Sequence, residues 1–331
     1  MTKEEAANSF LKGFFEYNYN RKKLLFDNLK NIYVLISFIY NNIEKIENEE
    51  IDWNQITKTT LFEEEKIIDS FYKEIGVNLE LDEIIKDGTF NIVRTNELEE
   101  AYPYELTLGV NNYEGEHKSI DVYNNGIITD SIIWVHEISH YRNQPENHRS
   151  EVNDLLTELL AFTEEFIYMD YLEKKGYKND ANIFKIEEYK NLYNHIKIGF
   201  PVARIYLLYF LLGEVSNENY KYLYHEDNSY EKALDVFNAV IKQDQNIIFN
   251  ILWYSVGVIS IYNYERYKED SKYLDKIKEL NTKINTDISL EDALKIIDIK
   301  LDSESLNRIL EYINNFKNKL SKKKCDYTTR V

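Results

Sequence analysis

The chain has 331 residues, of which 40 are Lys or Arg and 58 are Asp or Glu, so its formal net charge at pH 7 is −18. Hydrophobic residues make up 44% of the sequence, with only 3 Pro and 10 Gly. This composition excludes a disordered or collagen-like chain and favours a helix-rich globular protein with a sizeable core. The negative charge argues against nucleic acid or an anionic membrane as the main partner, because phosphate binding needs clustered basic residues.

The cysteine content and the apolar stretches indicate a compartment. The single cysteine, Cys325, cannot form an internal disulfide, so nothing points to an oxidising environment. The first six residues carry acids where a secretory signal needs a cationic and then an apolar stretch. Apolar stretches at 198–213 and 247–262 are shorter than the ~20 residues of a typical membrane span, and they contain Arg204 and Asn250. We therefore expect a soluble protein of the cytoplasm.

The chain begins with helical patterns. Apolar residues recur three or four positions apart over 3–48 and again over 61–75, where Gly76 ends the second pattern. Three short runs of strand-forming residues follow, separated by Asn and Gly that favour turns. These predicted strands are 90–93, 104–108 and 119–123. From Ile127 the pattern is helical almost to the end of the chain.

These elements predict a mostly α protein of the α+β class with one small sheet. No Gly/Ser-rich or Pro-rich linker interrupts the sequence, so we expect helical subdomains that share a cleft rather than separate beads. The predicted N-terminal helical subdomain covers 1–88. The second covers 89–331 and holds the sheet at 89–125, central helices at 127–175 and the C-terminal helices.

The segment His136-Glu137-Ile-Ser-His140 carries the strongest chemical signal in the sequence. On a helix, residues four apart lie on one face about 6 Å apart along the axis, so both imidazoles can reach one ion at about 2.1 Å. Glu137 is the next residue round the helix, which places it to contact a metal-bound water rather than the metal. The flanking apolar residues predict a buried helix, where a dication would compensate the cost of burying polar groups. His136 and His140 are therefore predicted zinc ligands.

A catalytic zinc ion needs a third protein ligand and an open fourth position. The next predicted helix begins near Ser150, and Glu158 falls inside its apolar stripe, where a carboxylate needs a cation. Glu151 and Glu165 lie seven residues away on either side, about 10 Å, so only one of the three can bind the same ion. We predict Glu158 as the ligand, with Glu151 as the alternative. Glu165 either orients an imidazole or is a surface acid.

Two segments resemble the thimet oligopeptidase and oligoendopeptidase F group of zinc metallopeptidases. The first runs from Gly126 to His140 and is similar to that group's active-site segment, with a Gly ten residues and an Asp six residues before the first His. The second, Glu158-Leu-Leu-Ala-Phe-Thr-Glu-Glu165, resembles its ligand helix. The resemblance covers about 126–172 and implies a zincin-type domain of the gluzincin class. It implies zinc on His136, His140 and Glu158, with Glu137 as the general base.

The same group uses a downstream His and Tyr pair to steady the substrate oxyanion. The segment 205–213 is similar to its Tyr-rich stretch before a Gly, but Phe210 stands where a Tyr is expected. The resemblance therefore leaves three candidates for this role, Tyr206, Tyr209 and His195.

Together these features predict a zinc-dependent metallopeptidase that acts on a peptide or protein. The predicted strand 104–108 or 119–123 could offer a free edge along which an extended substrate lies. The alternative is a helical interaction protein in which the metal site is structural or vestigial. A third reading keeps the peptidase activity but dedicates it to processing one partner.

Overall fold

A computed structural model describes residues 1–18, 23–46, 56–93, 109–114, 117–143, 151–225, 229–243, 255–284, 286 and 288–328. The helices are α1 (Lys3–Asn18), α2 (Lys23–Asn42), α3 (Leu61–Glu74), α4 (Leu81–Lys86), α5 (Asp130–Asn143), α6 (Glu151–Lys174), α7 (Lys178–Leu212), α8 (Asn217–Tyr224), α9 (Tyr230–Gln243), α10 (Ile259–Glu269), α11 (Tyr273–Ile284), α12 (Leu290–Ile296) and α13 (Ser303–Thr328). The strands are β1 (Phe90–Val93), β2 (Gly109–Glu114) and β3 (His117–Tyr123). The prediction of a mostly α protein with a small sheet directly before the motif helix is confirmed.

The chain divides into two compact units, each built from several segments. The first comprises Met1–Lys45, Asn147–Leu159 and Tyr189–Lys319. The second comprises Ile46–Glu146, Leu160–Glu188 and Leu320–Val331. The division falls inside α6, which is one continuous helix. The predicted subdomain boundary at residue 88 and the predicted cleft stay predictions.

The first unit is held together by contacts between segments that are distant in sequence. The side chain of Asn8 bonds both backbone groups of Val215, donating to its oxygen at 2.8 Å and accepting from its nitrogen at 2.7 Å. Phe10 on α1 packs edge-on against Phe237 on α9, with the ring centroids 6.0 Å apart. Aromatic contacts of this kind bury large apolar areas and fix helix pairs in place.

One helix in the described part of the chain, α7, is long and apolar enough to cross a membrane by length and composition alone. Of its most apolar window, 61% is buried inside the protein. Since a buried core helix passes the same test, this is weak evidence for a span.

The sheet of the second unit supports α5, the helix that carries His136 and His140. Its strand order is β1-β3-β2, with β1 parallel and β2 antiparallel to β3. Alternate residues of β3, Ile120 and Val122, are buried, as expected when one face of a strand packs on a core. Phe90 of β1 packs against Trp134 of α5, with the ring centroids 5.4 Å apart. The sheet therefore supports α5 from one side.

The expectation that the strand at 119–123 offers a free edge is wrong. These residues belong to β3, which has hydrogen-bonded partners on both sides. The pairing of β1 with β3 joins strands that are distant in sequence, so sequence pattern alone does not reveal which strand is central. The other candidate edge, 104–108, lies outside the described residues, but the adjoining strand β2 pairs only with β3 among the described residues.

The turn before α5 is fixed by a network of buried polar groups. Gly126 has φ +74°, a conformation that favours glycine, and its carbonyl oxygen accepts a hydrogen bond from the Thr59 nitrogen at 3.0 Å. The carboxylate of Asp130 accepts from the backbone nitrogen of Asn125 at 2.6 Å. The fully buried Glu64 of α3 accepts from the Thr59 hydroxyl and, at 2.7 Å, from the side chain of Asn124. Burial raises the pKa of Glu64 to about 8, and the charge of Asp130 adds to this.

Glu64→Gln is expected to flatten the pH dependence of stability. The folded protein keeps the Glu64 proton up to a pKa of about 8, whereas the unfolded chain releases it near the ordinary value of 4.5. The unfolding free energy of the wild type therefore falls as pH rises between these values. Urea unfolding at pH 5 and pH 8 measures this, and the loss should be smaller in the variant.

The neighbouring Glu63→Gln is the matched control. Glu63 is exposed and caps α3 with Thr60, whose hydrogen bonds lower its pKa, so its contribution to stability has the opposite pH dependence. An equal pH dependence in the wild type and Glu64→Gln would show that Glu64 is not protonated in the folded protein.

Candidate metal centre

His136 and His140 lie one turn apart on the same face of α5, as the spacing predicts. Their Nε2 atoms are 2.9 Å apart, so the two imidazoles point at a common position. The side chain of His136 is only 13% exposed, and His140 is buried. The ring of Phe162 on α6 packs edge-on against His136 at 5.1 Å between centroids, which limits rotation of the imidazole.

Glu158 on α6 completes a group of three metal-binding side chains. One ligand atom from each of His136, His140 and Glu158 lies within 4.8 Å of the others. Two imidazole nitrogens and one carboxylate oxygen are a donor set that suits zinc, and three protein ligands leave a fourth position open. The residues present therefore fit a catalytic zinc ion. The side chain of the alternative ligand, Glu151, lies outside the described residues.

Glu165 faces the other nitrogen of His136. Its Oε1 atom lies 2.7 Å from Nδ1 of His136, and its side chain is only 3% exposed. A carboxylate at this distance favours the tautomer with the proton on Nδ1, which leaves the Nε2 lone pair free for a metal. Of the two roles that the sequence left open for Glu165, this geometry supports orientation of the imidazole, and a surface acid is excluded by burial.

Glu137 is the residue next to His136 on α5 and is itself buried, with 9% of its surface exposed. It directly follows the first of the three metal-binding side chains in sequence and is not itself one of them. Its role as the general base stays a prediction.

The three candidates for oxyanion stabilisation lie in the first unit and differ in their surroundings. Burial lowers the pKa of His195 to about 4, and the nearby charge of Glu158 opposes part of this shift, so His195 is a neutral imidazole near Glu158 at pH 7. Tyr206 is 1% exposed, and burial raises its pKa well above the ordinary value. Its ring packs against Phe14 and other core aromatics. Tyr209 stacks on Phe15 at 5.6 Å.

A half-buried ion pair between α5 and α6 was not predicted from the sequence. Arg142, on the last turn of α5, donates from Nη1 to both carboxylate oxygens of Glu164 on α6, at 3.0 Å each. Tyr72 of α3 donates to the same carboxylate at 3.3 Å. The sequence shows a positively charged residue two positions after His140. No local pattern indicates that Glu164 would be its partner.

Comparison with known proteins bears on the fold. No family model matches the chain, and no curated protein matches its sequence. Among solved structures, a PZ peptidase A bound to an inhibitor aligns over 93% of this chain and 61% of its own length, with 10% identity and a TM-score of 0.56. A protein assigned as an oligoendopeptidase F from Bacillus anthracis strain Ames aligns over 92% of this chain and 59% of its own, with 13% identity and a TM-score of 0.53. A protein assigned as a peptidase from Chlamydophila abortus aligns over 94% of this chain and 57% of its own, with 15% identity and a TM-score of 0.53.

The chain shares its fold with parts of these solved structures. The predicted resemblance to this group is thus confirmed at the level of the fold, although the identities are low. The chain spans about three fifths of the length of these proteins. Fold similarity does not transfer activity, so the function has to be argued from the side chains of the site.

Removing the proposed third ligand is expected to weaken metal binding more than removing any other acid of α6. Glu158→Ala should raise the dissociation constant for Zn²⁺ by more than about 100-fold, and Glu165→Gln by about 10- to 100-fold, because outer residues orient a ligand without binding the ion. Competition with a chromophoric chelator measures both.

Asp154→Asn, one turn before Glu158 on the same helix, is the control and should bind Zn²⁺ like the wild type. Unchanged affinity in Glu158→Ala would move the third ligand to Glu151 or to another acid.

Proposed function

We propose that this protein is a zinc-dependent metallopeptidase of the gluzincin type. The observation that supports this most directly is the convergence of His136, His140 and Glu158 on one point, with the Glu137 carboxyl group next in sequence to the first ligand. His136, His140 and Glu158 would hold the zinc ion. The fold supports the same conclusion, because the similar structures carry peptidase names.

A bound zinc ion would supply a Lewis acid that polarises a water molecule and the scissile carbonyl. Glu137 takes one proton from that water while the water oxygen forms a bond to the carbonyl carbon. When the bond between this carbon and the amide nitrogen breaks, Glu137 passes the proton to the leaving amine, so the carboxylate is regenerated. Glu165 holds His136 in the tautomer with Nε2 unprotonated throughout.

His195 is the candidate best placed to donate a hydrogen bond to the substrate oxyanion. It is a neutral imidazole at pH 7, and it lies near the Glu158 carboxylate. A neutral imidazole can donate from one ring nitrogen without adding charge to the site. Tyr206 and Tyr209 remain candidates, but Tyr206 is buried and its ring packs against Phe14.

The proposed substrate is an extended segment of a peptide or protein, in the cytoplasm. Strand β2 is the support for this mode of binding, since it belongs to the sheet against which α5 packs and pairs only with β3 among the described residues. An added strand would gain main-chain hydrogen bonds there. The overall charge of −18 favours neither nucleic acid nor an anionic membrane as partner.

Glu137→Gln tests the proposed base. The amide keeps the size of the side chain but cannot accept a proton, so cleavage of a peptide library should fall by at least about 100-fold while Zn²⁺ stays bound. Mass spectrometry of the digest and elemental analysis measure the two quantities. Hydrolysis at the wild-type rate would refute Glu137 as the base. A wild type that binds zinc but cleaves no peptide would favour the alternative, a helical interaction protein with a structural metal site.

His195→Gln tests the oxyanion donor. If His195 steadies the developing negative charge, kcat should fall by about 10²- to 10³-fold with little change in KM, because the lost hydrogen bond forms mainly in the transition state. Tyr206→Phe and Tyr209→Phe are measured beside it. A large loss of kcat in one of these two instead would assign the role to that tyrosine.

A further inference from the structure

The Arg142–Glu164 pair joins the last turn of α5 to α6. Nη1 of the guanidinium lies 3.0 Å from both oxygens of the Glu164 carboxylate, so one charged donor is shared between the two oxygens. The side chains are 18% and 12% exposed, so water screens the pair only weakly. The charge of Glu164 raises the pKa of Arg142, although burial opposes this.

Tyr72 extends this contact to a third helix, α3. Its hydroxyl lies 3.3 Å from Oε2 of Glu164 and 3.4 Å from the backbone oxygen of Val135, the residue before His136. The guanidinium of Arg142 lies over the Tyr72 ring at 5.1 Å from its centroid. Arg142, Glu164 and Tyr72, here called the brace, therefore join three helices next to the histidines.

The brace acts together with other polar contacts between α5 and α6. Near the start of α5, Tyr168 donates to the Ser131 hydroxyl at 2.9 Å. In the middle, His136 contacts Glu165. At the end of α5, the brace fixes the rotation of both helices, because Arg142 follows His140 by two residues and Glu164 directly precedes Glu165. A turn of either helix about its axis that breaks the brace also moves a proposed ligand or the residue that orients it.

We propose that Arg142, Glu164 and Tyr72 are positioning residues that hold α5 and α6 at the rotation where the metal-binding side chains converge. This inference rests on the proposed function, since it assigns the brace to a metal-binding group. None of the three residues is one of the predicted metal ligands. They hold the ligand side chains in the positions that metal binding requires. The ion therefore does not have to select these positions from many.

A purely structural ion pair of similar burial provides the comparison. Lys185 of α7 is 2% exposed and bonds Glu173, near the end of α6. This pair joins α6 to α7 and does not involve α5. Its removal should therefore lower the stability of the protein without changing the affinity for metal, whereas removal of the brace should change both.

The experiment compares Arg142→Met, Glu164→Gln and Arg142→Lys with the control Lys185→Met, in the full chain. Metal affinity is measured with Co²⁺ and Zn²⁺ by titration, and the visible spectrum of bound Co²⁺ reports the coordination geometry. Thermal unfolding without metal measures stability. We expect Arg142→Met and Glu164→Gln to bind Co²⁺ about tenfold more weakly, with a changed spectrum. Arg142→Lys keeps the charge but removes the planar guanidinium over the Tyr72 ring, and it should recover part of the affinity.

The outcomes separate this proposal from the proposed function. If the wild type binds neither ion, both fail. If the wild type binds while the brace variants bind within twofold of it and show its spectrum, the brace is structural only and this proposal alone fails. If Arg142→Met does not fold, Arg142→Lys and Tyr72→Phe decide, because each removes only part of the brace. Equal weakening of metal binding in Lys185→Met would also overturn the proposal, because the effect would then follow from lost stability.

Discussion

Buried carboxylates set the architecture of this site, because an acid that leaves water needs a cation, a proton or several hydrogen-bond donors. Helix α6 carries two buried acids, Glu164 and Glu165, and a half-buried one, Glu158, within eight residues. Glu164 finds a guanidinium at 3.0 Å, and Glu165 finds an imidazole nitrogen at 2.7 Å. The third, Glu158, shares its position with two imidazole nitrogens, a set that itself calls for a cation. The partners of all three acids lie on α5, so these contacts fix the positions of α5 and α6 against each other.

The dependence runs in both directions. The imidazole that Glu165 orients can present Nε2 to a metal only if its proton sits on Nδ1, and the carboxylate can stay buried only if that proton is near. The contact between His136 and Glu165 thus pairs the buried carboxylate and leaves Nε2 of His136 free to bind a metal. A bound ion would add its binding free energy to the stability of the folded state, since the unfolded chain does not bring residues of α5 and α6 together.

The parts of this site that follow from local spacing could be predicted, and those that follow from tertiary contact could not. The pair His136 and His140 is set by one helical turn, and the apolar stripe around Glu158 marks an acid that is partly withdrawn from water. Nothing local indicates that Arg142 would reach Glu164, twenty-two residues away. Likewise β3 is central because β1 pairs with it in parallel, and such a pairing has no signature in the sequence of either strand. The fold class needed only the periodicity, so it was predictable.

Glu64 shows why the same burial has a different solution at the other end of α5. Its hydrogen-bond donors are the neutral Thr59 and Asn124, and the carboxylate of Asp130 adds a like charge. With no cation among these groups, the cheaper state for Glu64 is the protonated one, and its raised pKa follows. Asp130 accepts instead from backbone N–H groups of the turn before the helix, at Asn125 and Ile127, which suit a carboxylate. Glu64 therefore holds a proton, whereas Asp130 accepts hydrogen bonds from the turn. Together the two acids fix the start of α5, the helix that carries both histidines.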